Sequence, residues 1–202
     1  MRSFKQEEAF TGLEAAIVLI AFVVVAAVFS YVMLGAGFFT SQKSQEVVHS
    51  SMAQASSSVE IVGNVVGLGN TPDHKSLTNV LFTISTTAGG SAYDVGDVLI
   101  TYTDKGGQYI VNRSSSVDRK TGKITPDVPG AGNWSVEKIL NGNDDTLVQR
   151  GEQFLINVSV PKSATAVSGD QFGIELKPAV GATLQLKKYV PTQVDNVTLL
   201  FE

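Results

Sequence analysis

Residues 15–34, AAIVLIAFVVVAAVFSYVML, limit this chain most, because they contain no charge, no Pro and no Gly. Their only polar side chains are the hydroxyls of Ser30 and Tyr31. As a helix rising 1.5 Å per residue the stretch would be about 30 Å long, roughly the thickness of a bilayer's hydrocarbon core. Its apolar residues leave no polar face, so it is not an amphipathic helix laid on a small domain. A helix apolar all round belongs in lipid or inside a larger protein assembly. From Lys43 onward the chain reads as ordinary polar protein. The sequence therefore predicts one hydrophobic rod tied to one soluble domain, and the function must account for both.

The 202 residues allow one domain of ordinary size beside the rod. A net charge of −4 supplies no basic footprint for nucleic acid. The absence of Cys removes disulfides, thiolate metal sites and cysteine nucleophiles together. With only His49 and His74, the chain has little material for a histidine-rich metal site or a Ser-His-Asp triad. Both histidines read as surface residues, one in a polar helical stretch and the other in a Thr-Pro-Asp-His turn.

Ahead of the rod stand fourteen residues of mixed charge, MRSFKQEEAFTGLE. Three readings fit that placement. A secretory signal would use Gly35-Ala36-Gly37 as its small-residue cleavage site, but the apolar run is long for one and Glu7, Glu8 and Glu14 crowd its start. A signal anchor would keep Arg2 and Lys5 inside, although Lys43 is the only basic residue soon after the span. The third reading is a short leader cut before the helix, which leaves the helix on the mature chain. Thr11-Gly12-Leu13-Glu14 fits the capping box, with Thr11 bonding to the amide of residue 14 and Glu14 reaching back to that of residue 11. A carboxylate there also suits the positive end of the helix dipole. Beyond the span, Gly35 and Gly37 each cost about 1 kcal/mol against Ala in a helix and predict a pliable point. An amphipathic half then resumes with Phe38, Phe39, Val47, Val48 and Met52 and runs to about residue 57.

After residue 58 the period changes to two. Val80, Phe82 and Ile84 alternate with Leu81, Thr83 and Ser85, and Phe154, Ile156, Val158 and Val160 alternate with Leu155, Asn157 and Ser159. Shorter candidates lie at 59–67, 98–103, 108–112, 134–140, 172–176, 183–189 and 197–201. Gly89-Gly90, Gly106-Gly107, Pro129-Gly130, Asn141-Gly142, Gly151 and Gly169-Asp170 punctuate them. Many short strands with Gly-rich turns predict an all-β sandwich or barrel, Ig-like in type. The whole chain is then α+β: a long N-terminal hydrophobic helix followed by a β head over 58–202.

Sites of chemistry are few. Gly67-Leu68-Gly69 is a turn-like pair and not a dinucleotide fingerprint. The oxygen donors in 94–97 and 141–145 are the candidates for a weak Ca²⁺ site. Neither has the spaced ligands of an EF-hand loop, and the plainer reading is solvated turns. No metal site and no cofactor are expected, and no catalytic set is recognisable. Four Asn-x-Ser/Thr sequons, at Asn112, Asn133, Asn157 and Asn196, exceed what chance gives for nine asparagines, and predict N-linked glycans on an exterior protein. Asn157 falls on the strand face opposite Phe154, Ile156 and Val158, so it is available only if that face is wet.

The run EEAFTGLEAAIVLIAFVVVAAVFSYVMLGAGFFTSQKSQEV resembles the N-terminus of archaellins (archaeal flagellins), relatives of the type IV pilins. The likeness is close over roughly the first 50 residues and architectural beyond them. It implies a class III signal: a prepilin-type peptidase removes residues 1–8, cutting between Glu8 and Ala9, and residues 9–57 pack as filament core. The commonest family pattern has Gly before the cut, where this chain has Glu8. The resemblance also gives Glu14 a second reading, an acidic residue that docks an incoming subunit. It implies a membrane-inserted precursor and a homopolymer that other archaellins can join. An assembly ATPase and membrane platform would extrude it into an extracellular filament, the archaellum, turned for swimming. The alternatives are an archaeal adhesion pilin and a membrane-anchored extracellular binding domain.

Overall fold

An unbroken apolar run with strong helix formers on either side yields one helix, α1, Ser3–Ser56, of 54 residues and about 80 Å in length. The computed structural model describes residues 3–56, 58–69, 75–164 and 166–200, so Ser57, His74, Phe201 and Glu202 lie outside the described residues. The chain divides into two units, residues 1–50 and 51–202. The helix begins ahead of Ala9 because Lys5, Gln6, Glu7 and Glu8 are themselves good helix formers. It also passes through Gly35 and Gly37 without a break, and a side chain added at either would meet only open space. Flanking residues of high propensity carry the cost of both glycines.

Four consecutive residues, Ile17, Val18, Leu19 and Ile20, look out on all sides of one turn and are 60, 53, 67 and 61% exposed. Among the described residues the most apolar stretch of the helix is exposed, and it is long and apolar enough to cross a membrane.

The described residues of the β-rich unit form thirteen strands. In order they are β1 Val59–Gly69, β2 Leu77–Thr86, β3 Tyr93–Asp94, β4 Leu99–Asp104, β5 Gly107–Arg113, β6 Val117–Asp118, β7 Lys123–Ile124, β8 Asn133–Leu140, β9 Leu147–Val148, β10 Gln153–Ser159, β11 Gln171–Lys177, β12 Leu184–Tyr189 and β13 Thr198–Leu199. Nine of them form one sheet in the order β12-β11-β4-β5-β8-β10-β2-β1-β13, while β3 pairs with β9 and β6 with β7. Every neighbour is antiparallel except β5 and β8, which run parallel and share only the pairs Asn112↔Asn133 and Arg113↔Trp134.

That seam divides the sheet into two halves that share one core. Ile100 and Tyr102 of β4 and Phe172, Ile174 and Leu176 of β11 join Val80, Phe82 and Ile84 of β2 and Phe154, Ile156 and Val158 of β10 in a single buried cluster. A flat sheet could not bring those strands together, so the sheet curls over at β5 and β8 and packs as a sandwich. Tyr102 and Phe172 stack across adjacent strands with ring centroids 5.8 Å apart. Among the described residues no pairing joins β12 to β13, so the curl remains open.

Gly67 and Gly69 belong to β1 and not to a turn. The last part of the chain lies directly on them: Val190, Val194 and Leu200 are buried, and Leu200 N–H donates to the Val65 carbonyl at 3.0 Å. A Cβ at residue 69 would stand 2.6 Å from the Asp195 carbonyl oxygen, a backbone atom that cannot move aside cheaply. The glycine there marks a close backbone approach.

Candidate assembly helix and modification sites

The surface of α1 is the largest chemical anomaly of the molecule. Phe22, Phe29, Tyr31, Phe38 and Phe39 are 72, 63, 79, 63 and 69% exposed, in company with Val, Ile and Leu on every side. Each such side chain forgoes about 1.5–3 kcal/mol while it stays in water. The helix suppresses its few polar groups where it can. The Thr40 hydroxyl donates to the Ala36 carbonyl at 2.8 Å and that of Ser50 to the Val47 carbonyl at 3.0 Å, the back-bonding that lets hydroxyls enter apolar surroundings. Lys43 and Glu46 pair at 2.7 Å on the exposed lower half, where such a pair contributes little. His49 is exposed in the same stretch.

Thr11 and Glu14 do not form a capping box in this chain. The helix starts at Ser3, so Thr11 lies in its interior, whereas an N-cap residue must be non-helical. Residues 3–8 extend the helix and satisfy backbone groups that Thr11 would otherwise serve. Glu8 and Ala9 also sit within α1.

The four sequons have unequal surroundings. Asn112, on β5, and Asn196, in the bend before β13, are exposed; Asn133, at the start of β8, is half-buried. Asn157 is fully buried on the central strand β10, a correction to its candidacy. Its amide nitrogen donates to Glu137 Oε2 at 2.7 Å, and its amide oxygen accepts from Asn79 Nδ2 at 2.8 Å. A glycan would have to displace that nitrogen's hydrogen bond in a place with no room. Period two assigned Asn157 correctly to the outer face, yet long neighbours on β2 and β8 close over it. Strand pairing also brings Asn112 and Asn133 together as register partners. Nothing local in the sequence could have shown that, since it depends on two distant strands meeting.

The acidic loops spend their oxygens on turns. Asp94 Oδ1 accepts from Gly96 N–H at 2.7 Å, Asp97 pairs with Arg119, and Asp145 Oδ1 accepts from Leu147 N–H at 2.9 Å. Among the described residues no three His, Asp or Glu side chains converge as metal ligands. A surface hollow of about 380 Å³ lies over Gly173, walled by Thr103, Glu175, Gln185 and Lys187.

A long exposed helix followed in sequence by a β-sandwich unit can be compared with known proteins over its full length. The model of the family described as archaeal-type flagellin matches residues 9–188. The chain is 39% identical over 210 residues to probable flagellin 1 of Archaeoglobus fulgidus, an alignment covering 100% of this chain and 99% of that protein. It is 91% identical over 32 residues to the 24 kDa flagellin of Methanospirillum hungatei, covering 16% of this chain and all of that sequence. Among solved structures, the archaeal flagellum of Methanospirillum hungatei is similar with a TM-score of 0.71 at 30% identity, over 94% of this chain and 99% of that one. Helix, head and full-length likeness agree: the chain belongs to the archaeal-type flagellins and is a structural subunit of an archaeal flagellar filament.

Proposed function

We propose that the chain polymerises with copies of itself through α1, and that the filament stands outside the cell. The observation that carries this is the helix surface, apolar on every face and exposed over its described residues. Before assembly the same surface is compatible with lipid, so the precursor waits in the membrane. Moving from lipid to a filament core gains far less than leaving water, because lipid is already apolar. Extrusion therefore calls for an energy source, an ATP-driven membrane platform.

Removal of residues 1–8 by a prepilin-type peptidase turns the precursor into the subunit. The cut between Glu8 and Ala9 is supported by the AFTGLEAA run and by the family match, which begins at residue 9. It frees an amine at Ala9 and shortens α1 from its start, which brings Thr11 and Glu14 near the helix N-terminus. N-glycans on Asn112, Asn133 or Asn196 complete the proposal, with Asn157 withdrawn. N-terminal sequencing of sheared filaments should read Ala-Phe-Thr-Gly from Ala9. A start at Met1, or after Gly37, would contradict the leader reading.

A further inference from the structure

Glycosylation meets a constraint where β5 runs beside β8. Asn112 and Asn133 are direct partners in that parallel pairing, and partners on neighbouring strands sit about 4.8 Å apart on the same face. The face is the outer one, because Val111 and Trp134, one position along on each strand, are each 1% exposed in the core. Both residues begin sequons, Asn112-Arg113-Ser114 and Asn133-Trp134-Ser135. Modification bonds the asparagine Nδ2 to the anomeric carbon of a phosphate-activated oligosaccharide. The phosphate leaves with the bonding pair and the amide nitrogen gives up one proton. The sugar ring added is wider than the strand spacing, so two rings rooted at this spot would overlap or push the strands apart. These strands cannot part cheaply, since Asn112↔Asn133 and Arg113↔Trp134 are the pairs that join the two halves of the sheet.

We propose that Asn112 and Asn133 are two addresses of one glycan locus, and that a folded subunit carries a sugar chain on one of them and never on both. Asn112 is the preferred address. It is exposed, whereas Asn133 is half-buried and the hydroxyl of Ser135 is fully buried, donating to the Asp127 carbonyl at 2.6 Å. The Ser135 hydroxyl, needed for recognition of the second sequon, is out of reach once the chain has folded. Asn133 is therefore modified only on chains that reach the transferase unfolded and bare at Asn112.

The inference rests on the glycoprotein reading, and the test separates the two. Chymotrypsin, cutting after Tyr109 and Trp134, releases residues 110–134 with both asparagines on one peptide and no internal aromatic residue. Mass spectrometry of that peptide from native filaments should show the mass shift of one glycan, placed on Asn112. In Asn112→Gln, taken from filaments or from the membrane fraction, the single glycan should move to Asn133. In Asn133→Gln it should stay on Asn112. Two glycans on one wild-type peptide would overturn the exclusion, a bare peptide from Asn112→Gln would overturn Asn133 as the second address, and a lone wild-type glycan on Asn133 would overturn the preference. A bare wild-type peptide beside a glycosylated Asn196 would remove the locus alone; with Asn196 also bare, the glycoprotein reading falls too.

Discussion

The hydroxyls of Tyr93 and Tyr102 have no hydrogen-bond partner among the described residues, although the two side chains are only 5% and 0% exposed. Burial pushes both phenols well above their usual range, and at Tyr102 the carboxylates of Asp104 and Asp170 add to the effect. The folded values lie above the unfolded one, so the unfolded chain ionises first as pH passes about 10. The resulting contribution to stability is complete below that pH and is lost as pH rises toward the folded values. Residues 58–202, which hold their own core, should therefore lose denaturant midpoint steeply above about pH 10, and Tyr93→Phe should flatten the loss. At pH 7 the same substitution removes a buried hydroxyl with no partner, so it should be neutral or stabilising by up to about 1 kcal/mol. A loss greater than about 2 kcal/mol at pH 7 would mean the hydroxyl has a partner that matters.

At the scale of elements, the helix was legible because its signal is local: twenty residues in a row without a charge, Pro or Gly, nearly all apolar, leave no other solution. The main strands were legible for the same reason, since Phe154, Ile156 and Val158 state their own period and all three are buried. Of the five two-residue strands, β3, β6, β7 and β9 leave no period in the sequence at all. The parallel seam of β5 and β8, and with it the meeting of Asn112 and Asn133, is a property of chain crossing that no window of sequence contains. The burial of Asn157 was hidden likewise, because it depends on Asn79 and Glu137 from neighbouring strands.

Glu14 carries two readings at this scale, a helix cap and a docking charge. Inside a helix that starts at Ser3 it caps nothing. In a mature chain starting at Ala9 it would lie about 8 Å along the axis from the free amine. A carboxylate carried into an apolar core must be paired or it costs several kcal/mol, and the amine of a neighbouring copy is a charge of the right sign. Glu14→Gln should accordingly be processed normally and yet assemble at least tenfold less filament, measured as sheared mass per cell. Unchanged filament yield would return Glu14 to a local role in its own helix.

For the whole molecule, the two units divide the work. The β unit satisfies its own core and most of its polar groups, and its residues carry the soluble face. The helix satisfies its backbone but leaves the whole of its apolar surface for other copies to cover. Many such helices pack together in a filament, and Val24, 55% exposed midway along the apolar stretch, lies where a charge would disturb that packing most. In Val24→Lys each copy would bring an unpaired ammonium into the shared core, a cost of several kcal/mol per subunit. The measurement is electron microscopy of surface filaments from cells in which the mutant has first been shown, by membrane fractionation and N-terminal sequencing, to be inserted and processed. The expected result is processed subunits in the membrane and no filaments. Filaments of normal length built from processed Val24→Lys subunits would contradict assembly through the helical core.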